Sequence, residues 1–209
     1  MFVAALPEHS ILLAAASAPI QDEAQVVRHL SGDVDWTLLV ELALKHRLAP
    51  ALLRVLEIRD GALVPAELLA ALRTHCAALQ TESQRITVES FELMEALEAR
   101  GVSAVPFKGP LLGEMLFGDA RWRSPGDIDL LIRRQDTAVV LATLEERGYD
   151  DAGRGADARR LNTVQREIYE RFQCEYQFVR AADHMIVEPH WDLSQRPLAL
   201  DVDYDGMLE

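Results

Sequence analysis

An α+β fold is what the sequence predicts, and three observations predict it. Apolar residues recur at helical spacing up to about residue 100. The pattern changes at Gly101, and beyond it short β-branched and apolar runs alternate with helical ones. Two regions follow: a helical N-terminal region over residues 1–100, and a domain of strands and helices over 101–209.

Taken in order, "ILLAAASA" near the N-terminus has the length of a signal-peptide core. It lacks a basic flank, and Pro7, Glu8 and His9 stand ahead of it, so an amphipathic first helix is the reading. In "DWTLLVELALKHRLAPALLRVLE" the apolar spacing predicts helix from Trp36, with Asp35 as its N-cap. Pro65 is expected at the first position of a long helix, where Leu68, Leu72, Cys76, Leu79, Ile86, Met94 and Leu97 recur at three-, four- or seven-residue steps. Gly101 belongs at its C-terminal cap. Then "VSAVPFK" reads as a strand, "GPLLGEMLFG" as a turn and short helix, "DIDLLI" as a second strand, and "QDTAVVLATLEERG" as a helix ending at Gly148. Residues 153–162 read as a polar loop and 163–172 as helix, and "CEYQFVR" and "MIVEPHWDL" read as a hairpin joined by "AADH". Pro189 places this last strand at an edge or a bulge.

The chain of 209 residues carries 34 acidic against 21 basic side chains, a formal net charge of -13. That balance opposes indiscriminate binding to nucleic acid or anionic lipid. Arg154, Arg159, Arg160, Arg166 and Arg171 form a basic stretch that suits RNA and a solvated helix face equally. The two cysteines, Cys76 and Cys174, are isolated, which suggests no disulfide framework and no Cys-x-x-Cys metal site, and fits a cytoplasmic location. No apolar run approaches the ~20 residues of a membrane span.

The chemistry concentrates in three short stretches. Asp127 and Asp129 open an apolar strand, and residues i and i+2 of a strand share a face, so their carboxylates stand side by side with Ile128 turned away. Such a pair repels itself and calls for a cation, for which a divalent metal is the usual answer, although a turn aspartate beside an accidental neighbour is the plainer reading. In "FKGP" a strand ends at Lys108, Gly109 permits a close backbone approach, and Pro110 starts a helix whose N-terminus suits phosphate. In "VEPHWDL" the side chains of Glu188, His190 and Asp192 share a face. Glu188 lies deepest in the apolar run and is the choice for a third metal-binding carboxylate. His190 reads as a metal ligand, a base or a packed hydrogen-bonding histidine. Arg121, Arg123 and Ser124 precede the aspartates, where they suit either solvent or phosphate oxygens.

The order Lys108-Gly109, Arg123, "DIDLLI", a helix ending "ERGY", and "VEPHW" resembles the poorly characterised bacterial branch of nucleotidyltransferases in the DNA polymerase β-like superfamily. "DWTLLVELALKHRLAPALL" is similar to the helical region preceding the catalytic domain in that branch, so the resemblance covers about residues 34–195. It implies a small mixed sheet with helices on one side and an enzyme that uses Mg²⁺, or Mn²⁺, to transfer a nucleoside monophosphate from an NTP to a hydroxyl acceptor. On that pattern Asp127, Asp129 and Glu188 are the catalytic metal ligands, and Gly109 is the glycine of the phosphate-binding turn. Lys108, Arg123 and Ser124 join Gly109 as the nucleotide-binding set. One departure is Pro110, where the superfamily usually has Ser or Gly; a hydroxyl and an amide donor are lost together. The rival reading is a non-catalytic module on the same fold, such as one half of a toxin-antitoxin pair.

Overall fold

The computed structural model describes residues 6–17, 33–58, 64–117, 126–152, 161–193 and 206. Among them are helices α1 (Pro7–Ser17), α2 (Trp36–Lys45), α3 (Ala49–Ile58), α4 (Ala66–Glu98), α5 (Gly109–Phe117), α6 (Thr137–Glu146) and α7 (Thr163–Phe172). Strands β1 (Ala104–Pro106), β2 (Ile128–Ile132), β3 (Tyr149–Asp151), β4 (Phe178–Arg180) and β5 (Met185–His190) form one mixed sheet. The fold is therefore α+β, helical first and then built on a sheet. No described helix is long and apolar enough to cross a membrane.

Two compact units are present. One holds the described residues up to Gln84 and those of 113–117; the other holds Arg85–Leu112 and those from Gly126 on. In the first unit, α1 buries Ile11, Leu12 and Ala15 together with Leu39 and Ala43 of α2, Leu52, Val55 and Leu56 of α3, and Leu69 and Leu72 of α4. Asp35 caps α2, accepting from Leu38 N at 3.0 Å. Between α2 and α3 the chain turns through Arg47 at φ 58°. Leu48 N donates to Ala43 O and Arg47 N to Leu44 O, the paired bonds of a Schellman motif with Arg47 in the position glycine usually takes. Pro65 lies just before α4 and not within it, and its carbonyl accepts the first helical bond from Leu69 N.

The periodicity along α4 serves two cores in succession. Leu69 and Leu72 belong to the first, and Ile86, Leu93 and Leu97 to the second, whereas none of residues 73–82 is buried. Gly101, at φ 76°, closes the helix with Gly101 N on Glu98 O and Val102 N on Leu97 O.

In the second unit the strand order is β1-β2-β5-β4-β3, with β2 and β5 parallel and every other pair antiparallel. β4 and β5 form the expected hairpin. The position of β5 is a correction, since Pro189 predicts an edge or a bulge and the strand is central. Pro189 is tolerated because β4 is regular only over Phe178–Arg180: Tyr176 N donates to Pro189 O at 3.2 Å, where a residue with an amide would return the bond. One sheet face carries the core of Ile128, Leu130, Ile132, Phe178, Met185 and Val187, covered by Val140, Leu141 and Leu144 of α6. The other face carries the polar residues described next.

Candidate active site

The alternation of β2 explains how an apolar strand tolerates an aspartate. Ile128, Leu130 and Ile132 enter the core, and Asp129 and Leu131 face the other way. The parallel register sets Asp129 beside Glu188 and Leu131 beside His190, so both β5 side chains join Asp129 on one face. The ligand atoms of Asp129, Glu188 and His190 all lie within 4.8 Å of one another.

Asp129 is almost fully buried, and its charge is met twice. Lys108 Nζ donates to Oδ1 at 2.7 Å, and His190 Nε2 lies 2.9 Å from the same oxygen. Burial opposes the charged carboxylate, yet the bonds from His190 and Lys108 outweigh it and hold Asp129 below the usual carboxylate range. The same bonds act on the partners. Burial pulls Lys108 and His190 down, and hydrogen bonding to Asp129 carries both above their ordinary values. Glu188 is held below its usual range first by hydrogen bonding to His190 and also by the amide of Gln177, which donates to its Oε1.

His190 is 2% exposed and fixed from several sides. Phe107 meets its ring edge-on at 4.9 Å. Its Nδ1 lies 3.0 Å from Glu175 Oε2 but in an alignment that makes no hydrogen bond, so this buried nitrogen has no hydrogen-bond partner. Gly109 follows Lys108 at φ 64°, a conformation that favours glycine, and a Cβ there would stand 3.5 Å from the Asp127 carbonyl. The turn into α5 thus packs against the start of β2.

Of the residues the sequence singles out, Lys108, Asp129, Glu188 and His190 come together. Asp127 stands half-buried just before β2 and is outside the group of donors within 4.8 Å, as is Asp192. Arg121, Arg123 and Ser124 lie outside the described residues, as do Arg154, Arg159 and Arg160. Sequence reasoning missed Glu175 and Gln177. The signal was present in "CEYQF", where Cys174, Tyr176 and Phe178 are buried and the two polar residues alternate with them. Only the hairpin register, which pairs Phe178 with Val187 and Glu175 with His190, aims that face at Glu188 and His190.

Two carboxylates and an imidazole form a donor set that fits a divalent cation. The paired acids of the sheet thus stand beside a glycine turn that opens a helix. The chain belongs to the family described as "Uncharacterised nucleotidyltransferase", whose model matches residues 32–209. No curated protein and no solved structure matches it.

Proposed function

We propose that the protein is a metal-dependent nucleotidyltransferase of the polymerase β-like kind, moving a nucleoside monophosphate from an NTP to a hydroxyl on protein, RNA or a small molecule. The observation that carries this reading is the juxtaposition of Asp129 and Glu188 on adjacent parallel strands, turned together away from the core. Asp127, Asp129 and Glu188 would hold Mg²⁺ or Mn²⁺; when bound, the cation would neutralise triphosphate charge and polarise the reacting phosphate.

The chain's own residues have separate tasks. The helix α5 offers its N-terminus to phosphate through the Gly109 turn. Lys108, whose side chain is 41% exposed, is placed to exchange Asp129 for a triphosphate oxygen once a cation occupies the carboxylates. Arg123 and Ser124 precede β2 in sequence and would add donors to the phosphates. The acceptor oxygen then bonds to the α-phosphorus as the bond to pyrophosphate breaks. The acceptor proton passes to the carboxylate of Asp129 or Glu188.

A second reading, the non-catalytic module, is favoured by one observation: Lys108 already neutralises Asp129 from within the chain. Labelled NTPs separate the two. Incubated with cell lysate and Mg²⁺, the enzyme should move label from the α-phosphate and none from the γ-phosphate, and Asp129→Asn should abolish transfer. Absence of transfer from all four NTPs, with Mg²⁺ or Mn²⁺, would support the module.

A further inference from the structure

The orphaned Nδ1 of His190 points to a second site. It lies at the end of the sheet where Glu175 forms an isolated bridge with His190 and Trp191 N donates to Cys174 O at 2.9 Å. Cys174 Sγ, a Glu175 carboxylate oxygen and a His190 ring nitrogen all lie within 4.8 Å of one another. Glu175 Oε2 is 3.0 Å from His190 Nδ1 and 3.8 Å from Cys174 Sγ. Around a tetrahedral zinc with bonds of about 2.0–2.3 Å, neighbouring ligand atoms stand roughly 3.3–3.7 Å apart. The two separations from Glu175 therefore need shifts of only a few tenths of an ångström, and that between Cys174 and His190 is at most 4.8 Å.

We propose that Cys174, Glu175 and His190 Nδ1 form a binding site for a thiolate- and imidazole-seeking divalent ion of the Zn²⁺ class, separate from the carboxylate pair of Asp129 and Glu188. The other ring nitrogen supplies an independent argument. A histidine that ligates a metal through one nitrogen commonly donates its remaining N–H to a carboxylate, which fixes the tautomer and the ring orientation. His190 Nε2 lies 2.9 Å from Asp129 Oδ1, and Nδ1 stands buried 3.0 Å from Glu175 Oε2 without a hydrogen bond. Cys174 and His190 are buried and Glu175 is half-buried, so the ion enters beside Glu175 and keeps a water as fourth ligand. Burial, reinforced by Glu175, pushes the Cys174 thiol up to about 11. The thiol is protonated at neutral pH in the ion-free chain. Binding breaks the S–H bond, forms the S–metal bond, and releases that proton, with any carried by Nδ1, to solvent.

The test is Co²⁺ titration of the chelator-treated full chain, read by absorption. The expected result is one equivalent giving both the near-ultraviolet thiolate-to-cobalt band and the visible bands of tetrahedral Co²⁺. Cys174→Ser should lose the thiolate band and Cys76→Ser should keep it, with circular dichroism verifying both folds. Glu175→Gln, a change at a half-buried position, should weaken Co²⁺ by at least about ten-fold. Absence of a thiolate band in the wild type, or its persistence in Cys174→Ser, overturns the proposal. Because the readout is a sulfur ligand, failure here leaves nucleotidyl transfer untouched, and loss of transfer activity leaves this site untouched.

Discussion

Lys108 Nζ and Asp129 Oδ1 are 2.7 Å apart, one end of the pair half-exposed and the other buried. From sequence alone, two neighbouring carboxylates predict mutual repulsion, so that removing either would relieve strain in metal-free buffer. The ion pair reverses that expectation for Asp129. Asp129→Ala should lower stability by about 1–3 kcal/mol, because buried His190 loses its partner. Denaturant unfolding in chelator measures this; a gain in stability would show that repulsion between the carboxylates outweighs the ion pair.

Lys108→Ala should weaken NTP binding by about 1.5–3 kcal/mol, the range for a hydrogen bond to a charged group, and leave divalent-ion binding in place. Calorimetry with a non-hydrolysable NTP reads it. Unchanged affinity would confine Lys108 to its intramolecular pairing with Asp129.

Gly109 and Gly101 form a matched pair. Both have positive φ, 64° and 76°, but only Gly109 packs near another group, the Asp127 carbonyl. Alanine at either should cost about 1 kcal/mol of stability or somewhat more. Only Gly109→Ala should also impair nucleotide binding, and equal effects of the two on binding would remove the turn from the site.

Outside the candidate site, Arg180 makes two hydrogen bonds to Glu89 at 3.0 and 2.7 Å and two to Asp183 at 3.0 and 2.9 Å, and lies 4.8 Å above the Tyr149 ring. Arg180→Met should cost about 3 kcal/mol, the lower end for stranding a buried charge, since Arg147 Nη2 remains 3.7 Å from Glu89. The Asp183 carboxyl is lowered to about 2, chiefly by those Arg180 bonds. A depressed carboxylate contributes stability that is present above its unfolded value, near 4, and is lost as pH falls toward 2. Melting temperature should therefore fall across that window in the wild type and fall less steeply in Arg180→Met.

The second half of the chain was legible because its signals are local. The two-residue period of "DIDLLI" put Asp129 on the face away from Ile128, and the "AADH" turn announced the hairpin of β4 and β5. What stayed hidden depends on pairings distant in sequence. β5 is central because it pairs with β2 across more than fifty residues, and no local rule reveals this; Pro189 argued the opposite. β3 escaped because Tyr149–Asp151 is three residues long, two of them acidic, and only Tyr149 is buried. The Lys108–Asp129 pair escaped for the same reason as β5, since antiparallel pairing of β1 with β2 brings "FKG" back beside the strand. Glu188, expected from its depth in an apolar run to be the third metal-binding carboxylate, stands beside Asp129 in the parallel register.

Whether Asp129 and Glu188 bind a cation beside nucleotide is decided by an anomalous difference map from crystals of the full chain soaked with Mn²⁺ and a non-hydrolysable NTP. The expected map has a peak bonded to the carboxylates of Asp129 and Glu188, with Lys108 Nζ moved from Asp129 Oδ1 onto the triphosphate. A map in which Lys108 still holds Asp129, and no manganese lies against either carboxylate, would contradict the nucleotidyltransferase reading.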